Sequence, residues 1–225
     1  MNMGPTFITL EGPDGSGKST QAALLAEKLT EMGLSVLLTR EPGGTPVGRR
    51  LREILLNPDV QLSVMTEVLL MAADRAQHVQ EVIKPALENN MVVVCDRYVD
   101  SSLAYQGFGL LGDVSQVKAI NEAAVEGVWP DLTILLDVEP EVGLRRHRQA
   151  ASAAGRPSCS GRAGGLDRIE QRDLEFHQRV RDGYHVLSTL YAQRFVVIDT
   201  TGLEIETVAQ IVWEAVEQRF KGDNR

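Results

Sequence analysis

Thr6-Phe7-Ile8-Thr9-Leu10-Glu11-Gly12-Pro13-Asp14-Gly15-Ser16-Gly17-Lys18-Ser19-Thr20 is the stretch from which the fold of this chain can be read. Phe7, Ile8 and Leu10 form a short apolar run of strand formers, and Gly12 to Ser19 match G-x-x-x-x-G-K-[ST] at every fixed position. Three glycines let the backbone take positive φ, so that successive N–H groups bear on one anion while the following helix presents the positive end of its dipole. A nucleotide's phosphates would lie on the backbone from Gly12 to Thr20. Lys18 would reach the β- and γ-phosphates, and the Ser19 hydroxyl would sit on Mg²⁺. The alternative is a plain Gly-rich turn, but the strand before it and the helix after it are the context that the motif requires.

The rest of the composition bounds what such a loop can serve. The chain has 225 residues, of which 43% are hydrophobic and 24% charged, enough for one α/β domain spanning residues 1–225. No apolar stretch approaches the length of a membrane span, and Met1 to Pro5 is too short for a signal peptide, so a soluble, cytoplasmic protein is expected. Cys95 lies in an apolar run and Cys159 in a Gly/Ser-rich segment, which suggests neither a disulfide framework nor a metal cluster. A formal charge of −8 argues against a nucleic-acid polymer as partner, whereas a small nucleotide needs only a few local arginines.

After the loop, Ala22, Leu25, Ala26 and Leu29 recur at helical spacing, and Gly33 stands where a glycine ends a helix. Val36 to Leu38 reads as a second strand. The polar loop Thr39 to Pro46, with Arg40 and Glu41, suits either a solvated connector or a ligand loop, and a helical stretch with Arg49, Arg50 and Arg52 follows it. Thr66 to Leu87 is the longest helical pattern, with apolar residues on more than one face, which points to burial on two sides and a second subunit packed there. Met71 and Arg75 share a face of it; read alone they are core filler and a surface charge.

Met91 to Cys95 is an unbroken apolar strand of the kind buried in a parallel sheet, and it ends in Asp96-Arg97-Tyr98. In a P-loop protein an acidic residue there is the usual second anchor for the Mg²⁺ hydration shell, and Arg97 would face the crevice at the carboxyl ends of the strands. An ordinary ion pair at a strand end is the competing reading. Ser101 to Gly107 reads as a short helical turn with Ser102 and Gln106 on one side. Asp113 can cap a helix to Val125, Leu132 to Leu136 is a buried strand, and Pro140 to His147 begins a helix.

Gln149 to Gly165 is rich in Ala, Ser and Gly, with Arg156 and Arg162 its only charged residues; it cannot form a core and is expected to be a mobile segment, either a disposable insertion or a lid. Leu166 to Leu190 resumes a helical pattern, Phe195 to Ile198 gives a fifth strand, and Ile205 to Phe220 a closing helix with Trp213 inward. This alternation predicts a three-layer α/β fold, a five-stranded parallel sheet with helices on both faces.

A P-loop alone says that a nucleoside triphosphate binds. GTPase switches need an N/T-K-x-D segment, which this chain lacks, and its one D-x-x-G outside the loop, Asp199 to Gly202, lies too near the end to serve as a switch. A kinase of small molecules needs arginines for an anionic acceptor, a specificity pocket and a lid that excludes water, and the chain offers all three. A non-catalytic nucleotide-binding regulator would leave the arginines of these segments without a role.

The P-loop with Asp14, TREPGG from Thr39 to Gly44, AADR from Ala72 to Arg75, DRYVDSSLAYQG from Asp96 to Gly107 and LDRIE from Leu166 to Glu170 together resemble bacterial thymidylate kinase, in order and over nearly the whole chain. The resemblance implies transfer of the γ-phosphoryl group of ATP to dTMP, with Mg²⁺, in a homodimer with the P-loop nucleoside-monophosphate-kinase fold and a mobile lid. It implies that Lys18 and Ser19 serve ATP and Mg²⁺ and that Arg97 bridges donor and acceptor phosphates. Asp14 would sit by the sugar 3′-hydroxyl, Arg40 and Arg52 near the dTMP phosphate, and Arg75 at a thymine carbonyl. Ser102 and Gln106 would complete the base pocket, and Tyr105 would pack near the sugar. Where the family usually stacks a Phe on the thymine, this chain has Met71. The family divides by whether an extra catalytic arginine sits in the P-loop or in the lid; Gly15 after Asp14 points to the lid, with Arg162 or Arg156 ahead of Arg168. Another P-loop kinase of nucleosides or nucleotides is the nearest rival.

Overall fold

The computed structural model describes residues 4–153 and 167–221. Five strands, β1 (Thr6–Glu11), β2 (Val36–Arg40), β3 (Val92–Asp96), β4 (Leu132–Asp137) and β5 (Phe195–Asp199), form one parallel sheet in the order β2-β3-β1-β4-β5. The central position of β1 follows from its composition, because all six of its residues are buried. Alternation along the strands sorts the core into layers. Ile8, Leu10 and Val94 face one helical layer with Leu25, Leu29 and Trp213, while Phe7, Val93 and Cys95 face another with Val79, Ile83 and Tyr98.

The helices are α1 (Lys18–Glu31), α2 (Pro46–Leu56), α3 (Val64–His78), α4 (Lys84–Glu88), α5 (Val99–Ser102), α6 (Val114–Val125), α7 (Pro140–Ala153), α8 (Leu174–Leu190) and α9 (Ile205–Lys221). Two π-helical turns join neighbours. Val79–Ile83 makes α3 and α4 continuous over the expected long helix, and Leu103–Gly109 extends α5 through the segment expected as a short turn. Capping explains several boundaries. Asp113 accepts from the backbone N–H of Ser115 and Gln116, and Gly33, at φ 84°, follows the end of α1.

α7 runs to Ala153, through the first residues of the segment from Gln149, because Gln149 to Ala153 is built mostly of alanine, the strongest helix former. Two expectations need correction. The helix expected from Leu166 begins at Leu174: Asp173 caps it by accepting from Phe176 N–H, and the residues before it are held as a turn by Asp167, which accepts from Ile169 and Glu170 N–H. Arg75, read alone as a surface charge, is 2% exposed. Among the described residues, no helix is long and apolar enough to cross a membrane.

Candidate functional site

β1 delivers the chain into the P-loop at the carboxyl edge of the sheet, and α1 leaves it. Gly17, at φ 94°, occupies the N-cap of α1, a left-handed conformation that glycine adopts without penalty. The Lys18 ammonium folds back over its own loop and donates to Pro13 O at 2.7 Å and Ser16 Oγ at 3.3 Å. Burial, and then the nearby Arg97 guanidinium, pull its pKa down to about 8. Ser19 Oγ donates to Asp96 Oδ2 at 2.5 Å, which joins the first turn of α1 to the end of β3. The other oxygen, Asp96 Oδ1, is buried without a hydrogen-bond partner. A hydroxyl and a carboxylate with one oxygen unspent are the hard oxygen donors that Mg²⁺ takes, so these residues fit that ion.

Arg97 follows Asp96 with a left-handed backbone, φ 70°, uncommon for a residue with a side chain. That turn aims the guanidinium across the P-loop. It donates to Gly12 O at 3.2 Å, Ser101 Oγ at 3.2 Å, Tyr105 Oη at 3.1 Å and Asp14 Oδ1 at 2.5 Å, and it lies over the Tyr105 ring with its carbon 4.9 Å from the centroid. Tyr105 Oη in turn donates to Asp14 Oδ2 at 3.0 Å. Burial pushes the Asp14 carboxyl up, but Arg97, then Lys18, with His177 and the Tyr105 hydrogen bond, hold it below the usual range. The sequence expectations for Asp14, Lys18, Ser19, Asp96, Arg97 and Tyr105 thus fall in one connected site.

A second group lies between α3, the β2–α2 loop and α5. Arg75 donates through Nε to Glu41 Oε2 at 2.9 Å, through Nη1 to Ser102 Oγ at 3.0 Å and to Asn121 Oδ1, and through Nη2 to the Tyr98 carbonyl at 2.9 Å. Glu41 Oε1 meets His78 Nδ1 at 2.9 Å. Arg75 therefore joins Glu41, from the loop that suits a connector or a ligand site, to Ser102, with Met71 half-buried one turn before Arg75. Arg52, on α2, reaches back to the same loop and donates to Pro42 O at 2.9 Å. Arg40 stands apart: it ends the edge strand β2, is exposed, and has no side-chain partner among the described residues. Gln106 sits one turn beyond Ser102 and donates to Glu67 Oε1 at 2.7 Å. Arg156 and Arg162 lie outside the described residues.

Sequence reasoning missed the residues that brace these groups. Glu11, fully buried, accepts from Tyr98 N–H at 2.7 Å and Ser101 Oγ at 2.5 Å, and from Tyr184 Oη at 2.9 Å; burial and then Asp100 raise its pKa. It fixes the chain that follows Arg97. Glu67 pairs with Arg168 and Arg172, each at 2.7 Å. His177 is buried beside Asp14 with Nε2 unpartnered, and burial lowers its pKa. The available signal was a charged residue inside an otherwise apolar pattern, as at Glu11 and Glu67.

The chain matches known proteins over most of its length. Residues 10–211 match the family model described as thymidylate kinase. The chain is 48% identical over 219 residues to the thymidylate kinase of Thermomicrobium roseum, covering 97% of this chain and 98% of that protein. It is also 48% identical over 213 residues to that of Deinococcus radiodurans, covering 95% and 97%. The crystal structure of thymidylate kinase from Ehrlichia chaffeensis superposes with a TM-score of 0.75 at 35% identity, over 95% of this chain and 99% of that one.

Proposed function

The chain belongs to the thymidylate kinase family, and on that premise we propose how its residues phosphorylate dTMP to dTDP with ATP as donor. The observation that carries the reading is the contact of Arg97 with Asp14 and Tyr105 directly above the P-loop. A cation in that place lies between a triphosphate on the Gly12 to Thr20 backbone and an acceptor on the Tyr105 side.

In the reaction, an oxygen of the dTMP phosphate forms a bond to the γ-phosphorus of ATP as the bond from that phosphorus to the β-phosphate bridging oxygen breaks. Lys18 leaves Pro13 O and Ser16 Oγ for the phosphates, and Arg97 neutralises charge on the group in flight. Ser19 and Asp96 would hold Mg²⁺, which supplies charge neutralisation at the β- and γ-phosphates. Asp14 takes the sugar 3′-hydroxyl as acceptor, and Tyr105 lines the sugar. Arg40 and Arg52 serve the dTMP phosphate. Arg75 reads a thymine carbonyl by sharing an Nη1 proton now given to Ser102 or Asn121, over Met71. The protein is cytoplasmic and acts as a homodimer through the helix from Thr66 to Leu87, whose Leu69 is exposed in the single chain.

The test is an acceptor panel: the purified full chain with ATP and Mg²⁺, offered dTMP, dUMP, dCMP, dAMP and thymidine. The greatest kcat/KM is expected for dTMP. Preference for thymidine, which has no phosphate to accept, would overturn the assignment.

A further inference from the structure

Glu67 is 1% exposed, one of the most buried carboxylates in the chain, and it touches neither the P-loop nor the Asp14 group. Its Oε2 accepts from Arg168 Nη1 and Arg172 Nη2, both at 2.7 Å, and its Oε1 accepts from Gln106 Nε2, also at 2.7 Å. A carboxylate held between two guanidinium groups offers acceptors only. Gln106, whose side-chain amide has a donor end and an acceptor end, therefore has one permitted orientation, with NH₂ toward Glu67. Its carbonyl, Gln106 Oε1, is left buried with no hydrogen-bond partner. Gln106 itself is 1% exposed. A buried acceptor without a partner is costly and asks for a ligand donor.

The register of the two elements says which donor. Glu67, Met71 and Arg75 form one stripe at four-residue spacing on α3, and Ser102 and Gln106 form a facing pair. Arg75 meets Ser102 at one end, Glu67 meets Gln106 at the other, and Met71 lies between. The slot thus carries guanidinium donors at one end and a fixed acceptor at the other. A pyrimidine with a 4-carbonyl and a protonated N3 presents an acceptor followed by a donor. A 4-amino pyrimidine presents the reverse and would leave both ends unpaired.

We infer that Glu67 is a positioning residue for base selection: it locks the Gln106 amide so that Oε1 accepts the N3–H of the dTMP base, and thereby excludes 4-amino pyrimidines. This rests on the reading above that the base lies between Met71 and the turn bearing Ser102 and Gln106. Arg168 and Arg172 hold Glu67 in its accepting state, which places the segment after residue 166 behind base recognition.

The experiment uses the full chain with Glu67→Gln, whose amide lets Gln106 turn over, and with Glu67→Asp, which keeps the charge for both arginines but withdraws it from Gln106. The ratio of kcat/KM for dTMP to that for dCMP should fall about tenfold in each, the scale of one hydrogen bond to a polar edge. KM for dTMP should rise while kcat changes by less than about threefold. Gln106→Met should show the same fall, and Glu67→Gln added to it should cost nothing more. If Glu67→Gln does not fold, Glu67→Asp decides alone. An unchanged ratio in a folded variant, or full additivity with Gln106→Met, overturns the inference. Arg75→Ala separates this from failure of the pocket reading: if it leaves KM for dTMP unmoved, the base lies elsewhere, and if it raises KM while the Glu67 ratio holds, only the role of Glu67 fails.

Discussion

The guanidinium of Arg97 and the carboxylate of Asp14 meet at 2.5 Å although 83 residues separate them, and the pair sits where β3 ends and the P-loop turns. Arg97→Ala should lower kcat by about 10³, the scale of charge compensation in phosphoryl transfer, with a much smaller effect on ATP affinity. Steady-state kinetics together with thermal unfolding decide it. A variant that melts early but turns over normally would make the pair a strand-end brace.

Lys18→Ala should remove turnover by at least about 10²-fold and leave the melting temperature in place, because Lys18 bonds only to its own loop among the described residues. Activity within a few-fold of the parent would mean that the loop does not hold the transferred phosphate.

The depressed pKa of Lys18 gives a pH signature. Below about 8 the ammonium is charged in the free protein and can pair with phosphate; as pH rises through that value the charge is lost. Affinity for a non-hydrolysable ATP analogue should fall above pH 8 by up to about tenfold per unit, with proton uptake on binding, and the falling limb should be absent from Lys18→Ala. Calorimetry in buffers of different ionisation enthalpy measures both. Binding that stays flat to pH 9.5 in the parent would show that Lys18 keeps its proton.

Met71→Phe tests the softest part of the acceptor slot. Met71 is half-buried against the cluster containing Tyr105 and Phe176, so a ring there would face the base with little solvent. Stacking worth about 0.5 to 1.5 kcal/mol should lower KM for dTMP correspondingly. A higher KM would indicate that the slot has closed around the thioether.

The open side of α3 bears Leu69, 52% exposed, and the exposed Met65, and Ile54 is exposed on α2, which packs against α3. Leu69→Asp should turn a dimer into a monomer in sedimentation velocity at micromolar concentration. A parent chain that already sediments as a monomer would remove the homodimer from the proposal.

The sequence carried the strands, the P-loop and the Ser19 with Asp96 pairing because those signals are local: apolar runs, glycine spacing, a residue type at a strand end. Glu11 with Tyr184 was beyond its reach, since the two are 173 positions apart and only the tertiary fold brings the hydroxyl to the carboxylate. Glu67 was hidden for a related reason. On a helix, a lone acid in an apolar stripe looks the same whether it points to solvent or to two arginines a hundred residues on. The start of α8 at Leu174 was misplaced because an aspartate cap outweighed the helical pattern of the residues before it.

Gly15 bears on which changes are open to this lineage. It has φ 76°, and a Cβ there would stand 1.9 Å from the carbonyl oxygen of Gly143 on α7, while a Cβ on Gly143 would stand 2.3 Å from Asp14 O. The two glycines interlock, so neither can be replaced first without a backbone clash. An arginine at position 15 would need α7 to retreat before the loop could carry it. A cation supplied from position 15 therefore requires the loop and α7 to part where their backbones now touch.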